Sequence, residues 1–209
     1  MTALLTLAFS AAPAAACSVV PGYRVPTNLE LADRADTILI GTVEGFSQGT
    51  NPWERQARIR PTLLLKGAAL PAQISIEGYP AEALRRPTRS NPRELHEPNP
   101  DALIGGCTRY LFEPGMKLVL FFERGKDGQL RFASYPFARV SEDVPSDEAP
   151  WIKAVRIYVE VAALPRSQRK AAMRARRDAL RAATGDPDAA LVADDIDREL
   201  GSKRTRPYD

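Results

Sequence analysis

The chain has 209 residues, of which 44% are hydrophobic and 26% charged, with a formal net charge of +3. That is long enough for one full hydrophobic core and a smaller appended unit, and the composition is globular rather than disordered or fibrous. So small a net charge gives no argument for nucleic-acid binding, and no stretch after the N-terminal leader approaches the roughly 20 apolar residues of a membrane-spanning helix.

The leader runs through the apolar segment Ala3 to Phe9 and ends in small residues, with Ala14 and Ala16 at −3 and −1 from Cys17. These are the parts of a secretory signal peptide cleaved before Cys17, although no Lys or Arg supplies its positive n-region. A lipoprotein signal would favour a branched residue where Ala14 stands, so a free α-amine on Cys17 is preferred over an acylated one. The chain's two cysteines, Cys17 and Cys107, make one bridge the economical assignment for an exported protein. On the chain-entropy view, closing a loop of about 90 residues stabilises the fold by about 4–5 kcal/mol.

After Pro21 and Pro26, Leu29 to Ala35 has the spacing of a helical turn or two. Thr37 to Phe46 reads as a strand, rich in β-branched residues, whose two glycines suggest a bulge or strong coiling. Glu54 to Lys66 predicts a second strand bent at Pro61, and Ala72 to Glu77 a third with one wet face. Between Gly78 and Gly106, five prolines and a cluster of arginines lie in a stretch without periodicity, read as a long loop that is either functional or else disordered or a plain surface excursion. His96, the sole histidine, falls in it and is expected to be solvated.

Met116 to Phe122 is the most hydrophobic strand after the leader and is expected to be central, and Asp127-Gly128 predicts a hairpin to Gln129–Ala133. The acidic segment Ser141 to Pro150 reads as a linker. Beyond it, Trp151, Ile152, Val155, Tyr158, Val159 and Ala162 form one apolar helical face opposite Lys153, Arg156 and Glu160. Pro165 opens a second helix with a cationic stripe of Arg166, Lys170, Arg174, Arg177 and Arg181, expected to be solvated, and an alanine face suited to close helix packing. A third helix, Asp188 to Leu200, spaces Val192, Ile196 and Leu200 four residues apart.

The order of about five short strands, together with Cys17-Ser18-Val19-Val20-Pro21, Ala35 to Val43, Leu65-Lys66-Gly67 and Cys107 followed by Phe112-Glu113-Pro114-Gly115, resembles the netrin-like module. That module is the OB-fold barrel of the tissue inhibitors of metalloproteinases and their bacterial relatives. The resemblance implies a mainly β fold with C-terminal helices: a signal peptide over 1–16, a five-stranded OB-fold-like barrel over 17–140, and a helical region over 150–203. The family's further cysteines are missing, since Val19 and the Tyr135-Pro136 region stand in their places. By analogy with the animal inhibitors, the amine and carbonyl of Cys17 would chelate a peptidase's catalytic zinc, and the Ser18 side chain would enter its specificity pocket.

The expected function is therefore a non-catalytic, exported binding module of the cell envelope, periplasmic or extracellular, with metallopeptidase inhibition through Cys17 as its sharpest form. The alternative is an envelope lipoprotein or scaffold anchored through Cys17 and binding partners through its basic helix, whose stripe could also meet an anionic membrane surface. Catalysis is not expected. There is one histidine, no pair of cysteines at metal-binding spacing, no glycine-rich phosphate loop and no nucleophile with an evident base, and no cofactor or intrinsic metal is called for.

Overall fold

In the computed structural model, which describes residues 19–51, 54–80, 86–201 and 204–205, the chain forms a mainly antiparallel sheet followed by three helices. A short helix, α1 (Asn28–Arg34), precedes the sheet. Thr27 caps it by accepting from the Glu30 amide while the Glu30 carboxylate takes the Thr27 N–H, a reciprocal capping box. Strands follow as β1 (Thr37–Gln48), β2 (Arg55–Lys66), β3 (Ile74–Glu77), the two-residue β4 (Tyr79–Pro80) and β5 (Leu111–Phe112), β6 (Lys117–Arg124), β7 (Leu130–Phe132) and β8 (Ser141–Asp143).

The main sheet has the order β3-β2-β1-β6-β7. The edge of β6 facing away from β1 is shared, with β8 opposite Leu118 to Leu120 and β7 opposite Phe122 to Arg124. In β1 the register slips around Gly41 and before Gly45, which bends the strand against β2. Gly41 faces Pro61, and a Cβ there would lie 2.4 Å from Ile59 Cγ2, so the close approach of the two strands requires glycine.

Among the described residues the sheet is open: β3 at one edge and β7 at the other do not pair, and the five-stranded barrel expected from the sequence is not closed. The reason lies in the central strands. Leu118, Leu120 and Phe122 of β6 join Leu39, Val43, Ile59 and Phe112 in a core on one face, while Val119 and Phe121 join Ile38 and Ile40 on the other. A sheet apolar on both sides must be covered on both sides. The second face is covered by helix α2 (Pro150–Ala162), through Trp151, Ile152, Val155 and Tyr158. The helices thus share one core with the sheet.

Helices α3 (Arg166–Ala182) and α4 (Ala189–Gly201) follow. Val192 and Ile196 of α4 are buried as the spacing predicts, but α3 departs from expectation. Ala171, Ala175, Ala179 and Ala182 are exposed, and α3 instead turns toward α4 the side bearing Met173, Leu180, Arg177 and Arg181. Alanines offer little area to bury, whereas Met and Leu plus carboxylate-paired guanidinium stems offer more.

Two segments read from sequence as solvated are in fact each other's partners. The acidic "linker" begins with β8, whose Glu142 is 2% exposed, and the Pro-rich loop docks on it. Glu142 accepts from Ser90 Oγ at 2.7 Å and from the Asn99 amide at 2.9 Å, and Asp143 accepts from the Ser90 amide at 2.9 Å and from Arg109 at 2.6 Å. Asn99 also caps a 3-10 turn at Pro100–Leu103, and Asp101 accepts from the Thr88 amide. Residues 86–106 are therefore an ordered, polar-anchored loop. His96 is half-buried rather than solvated: Arg204 donates to its backbone carbonyl, and burial pushes its pKa down.

Candidate functional site: the ridge around Cys107

The segment Ile104-Gly105-Gly106-Cys107 leaves the 3-10 turn in an unusual backbone conformation. Gly105 has φ 71° and Cys107 has φ 60°, the latter in a region that a residue with a side chain enters at a cost of about 1–3 kcal/mol. The only other non-glycine residue with positive φ among those described is Phe137, also at 60°, and its amide donates to the Cys107 carbonyl at 2.7 Å. The two strained residues hold each other. Cys107 is a disulfide cysteine and no described cysteine is free, which adds a covalent tether to this segment.

The N-terminal stretch lies against the same platform. Val20-Pro21-Gly22-Tyr23 makes a turn closed by the Tyr23 amide on the Val20 carbonyl at 3.0 Å, with Gly22 at φ 79°, the proline and glycine standing where a type II turn wants them. The Tyr23 hydroxyl donates to the Pro136 carbonyl at 2.9 Å, one residue before Phe137. Burial pushes the Tyr23 hydroxyl pKa up to about 12, partly opposed by Arg34, so it stays a donor throughout the physiological range. Arg34 lies over the Tyr135 ring at 5.2 Å, and Tyr135 donates to Glu123, which fixes the turn from beneath.

Two apolar side chains of these segments are left exposed. Val20 is 72% exposed and Ile104 50%, and with Leu70 they are the large hydrophobic residues left in water among those described. Each stands three positions from a cysteine. Apolar groups on a pre-organised backbone lose little ordering entropy if they dock against a partner.

The other residues singled out by sequence are distributed differently. Cys17 and Ser18 lie outside the described residues. Of the cationic stripe, Arg166, Lys170 and Arg174 are exposed, but Arg177 pairs with Asp197 at 2.8 Å and Arg181 with Asp197 and Asp194 at 2.6 and 2.9 Å, so its C-terminal half serves the α3–α4 contact. Sequence reasoning missed the polar cluster under the Pro-rich loop, where Arg109, Arg139 and Glu142 are each 2% exposed. Their only sequence signal was the presence of complementary charge in two segments some 30 to 50 positions apart.

Among the described residues no group of three or more His, Cys, Asp or Glu side chains is placed to hold a metal, and no helix is long and apolar enough to cross a membrane. No protein-family model matches the chain, and no curated protein matches it by sequence.

Proposed function

We propose that this protein is an exported, non-catalytic binding module of netrin-like OB type, whose barrel has been opened to receive a helical layer and whose working surface is the ridge formed by its cysteine-flanking segments. In this reading Cys17 is the mature N-terminus and is bridged to Cys107, so that Cys17 and Ser18 continue the ridge marked by Val20 and Ile104. The occupant is the active-site cleft of a secreted zinc peptidase. The α-amine and carbonyl of Cys17 supply two ligands to its metal, and the Ser18 side chain enters the adjoining pocket. The reading is supported above all by the pairing of exposed Val20 and Ile104 with a backbone locked in left-handed conformation at Cys107.

The test is inhibition of a panel of secreted zinc peptidases by Val20→Asp and Ile104→Asp, with Leu70→Asp as control. Both ridge variants should weaken inhibition at least about tenfold, equivalent to about 1.4 kcal/mol, while the control is unaffected. A panel insensitive to all three, or equally sensitive to Leu70→Asp, contradicts the assignment of the ridge.

A further inference from the structure

A second site lies beneath the Pro-rich loop. There a cavity of about 220 Å³ is lined by Pro98, Pro100 and Leu103 together with Arg139, Glu142 and Glu94. It is smaller than the roughly 300–1,000 Å³ that holds a drug-sized ligand, so its occupant is small. Its walls combine apolar rings and a leucine side chain with charged groups of both signs.

Two of those charged groups are incompletely used. Arg139 is 2% exposed, yet among the described residues its hydrogen bonding is a single bond from Nη1 to the Glu97 carbonyl. Its Nη2 stands 3.7 Å from Glu142, too far for a hydrogen bond, and its Nε is buried with no partner. A guanidinium has five N–H donors, and a buried one left unmatched loses its hydration without a replacement. Glu142 cannot turn to meet it, because its two oxygens are held by Ser90 and the Asn99 amide. The guanidinium is fixed in place by stacking on Trp151, 4.5 Å from the ring centre.

Glu94 is the counterpart of opposite sign. Its Oε1 accepts the backbone N–H groups of His96 and Glu97, at 2.6 and 2.9 Å, while Oε2 takes no hydrogen bond among the described residues. Burial would raise its pKa, but those backbone bonds, with help from Arg139, bring it below the usual range, so it is ionised at neutral pH. Its free oxygen is therefore an acceptor for a cation.

We infer that this cavity binds a free amino acid with an apolar side chain, its carboxylate on Arg139, its ammonium on Glu94 and its side chain against Pro98, Pro100 and Leu103. A zwitterion satisfies both groups without adding net charge to a cavity that already carries Arg89 and Glu97 at its rim. A simple anion would use only the open donors of Arg139, and a simple cation only the open oxygen of Glu94, each leaving the other group's hydrogen-bonding positions unmatched.

The experiment is calorimetric titration of the purified protein with L-leucine, 4-methylpentanoate, which lacks the ammonium, and leucinamide, which lacks the carboxylate. Trp151 fluorescence in a Trp53→Phe background gives an independent readout, since a ligand on Arg139 alters the cation stacked on that indole. Leucine should bind saturably, and each analogue at least about tenfold more weakly, because a site built around paired polar groups rejects ligands that leave one unmatched. Leu103→Trp, which fills the cavity from a half-buried position, should abolish binding while a cooperative melt shows the fold intact. Glu94→Gln should bring leucine down to the affinity of 4-methylpentanoate. Absence of saturable leucine binding up to about 10 mM, equal binding of leucinamide, or leucine binding that survives in folded Leu103→Trp would overturn the inference.

Discussion

Replacing Glu142 with alanine should release the Pro-rich loop from the sheet, and the size of the effect follows from what the carboxylate holds. It accepts two hydrogen bonds, from Ser90 and Asn99, and is the nearest anion to Arg139 in a place where both residues are 2% exposed. Hydrogen bonds to a charged group contribute about 1.5–3 kcal/mol each, and removing one member of a buried ion pair costs about 3–5 kcal/mol. These overlap rather than add, so the expected loss is about 3–5 kcal/mol, a large part of the roughly 5–15 kcal/mol that holds a typical domain folded. For a chain of this size that corresponds to a fall in Tm of roughly 6–20 °C. Urea unfolding gives the magnitude, and limited trypsin digestion gives the location. In the variant, Arg89 and Arg93 should become the first sites cut under native conditions, because they lie in the loop that Glu142 anchors. A loss below about 1 kcal/mol, or unchanged resistance of the loop to trypsin, would refute the idea that this carboxylate organises it.

Two further outcomes follow from the geometry. Gly41→Ala should destabilise the protein by about 1–3 kcal/mol in thermal melts, since the new methyl group meets Ile59 at 2.4 Å and the Arg60 carbonyl at 3.1 Å; a neutral result would mean that β1 and β2 are not so closely paired. Arg169→Met tests a pH-dependent contact, because Arg169 donates to Asp33 at 2.9 Å and this bond chiefly holds the Asp33 carboxyl below its usual range. A depressed carboxylate stabilises the fold above its unfolded pKa of about 3.9 and loses that contribution as pH falls through the folded value. With Asp33 about one-third exposed, screening limits the titrating part to under about 1 kcal/mol. The loss on substitution should shrink by that amount between pH 7 and pH 2, leaving a constant remainder from the bonds of Arg169 to the Ala162 and Leu164 carbonyls. A loss independent of pH would show that Asp33 contributes nothing.

Much of the fold was legible because it rests on local pattern. The glycines of β1, the run of apolar residues in β6, the Asp127-Gly128 turn and the Trp151 to Ala162 face each carry their own periodicity, and each element stands within a few residues of its expected place. What local pattern could not reveal was how the second face of the sheet would be covered. The same double-sided apolarity that marked β6 as central also required a helical cover on the second face, and α2 supplies it in place of a barrel wall. The Pro-rich loop and the acidic segment were misread for a related reason. Each is polar, and a polar segment reads as solvated unless its partner is known; here Ser90 and Asn99 find theirs in Glu142 and Asp143, across 43 to 53 positions of sequence. The candidate ridge was only partly legible: the cysteines stood out in sequence, whereas exposed Val20 and Ile104 and the left-handed backbone at Cys107 and Phe137 have no sequence signature, since neither Cys107 nor Phe137 is a glycine.

Under the proposed function, binding is delivered by the free N-terminus of Cys17. A zinc ligand needs an unacylated nitrogen lone pair, and one additional residue both removes it and obstructs the cleft. The decisive measurement compares protein beginning at Cys17 with the same protein carrying one extra alanine before it, in inhibition assays against secreted zinc peptidases. Protein beginning at Cys17 should inhibit at least one of them, and the extension should abolish this inhibition. Equal inhibition by the two forms, or none by either, would contradict the proposed function.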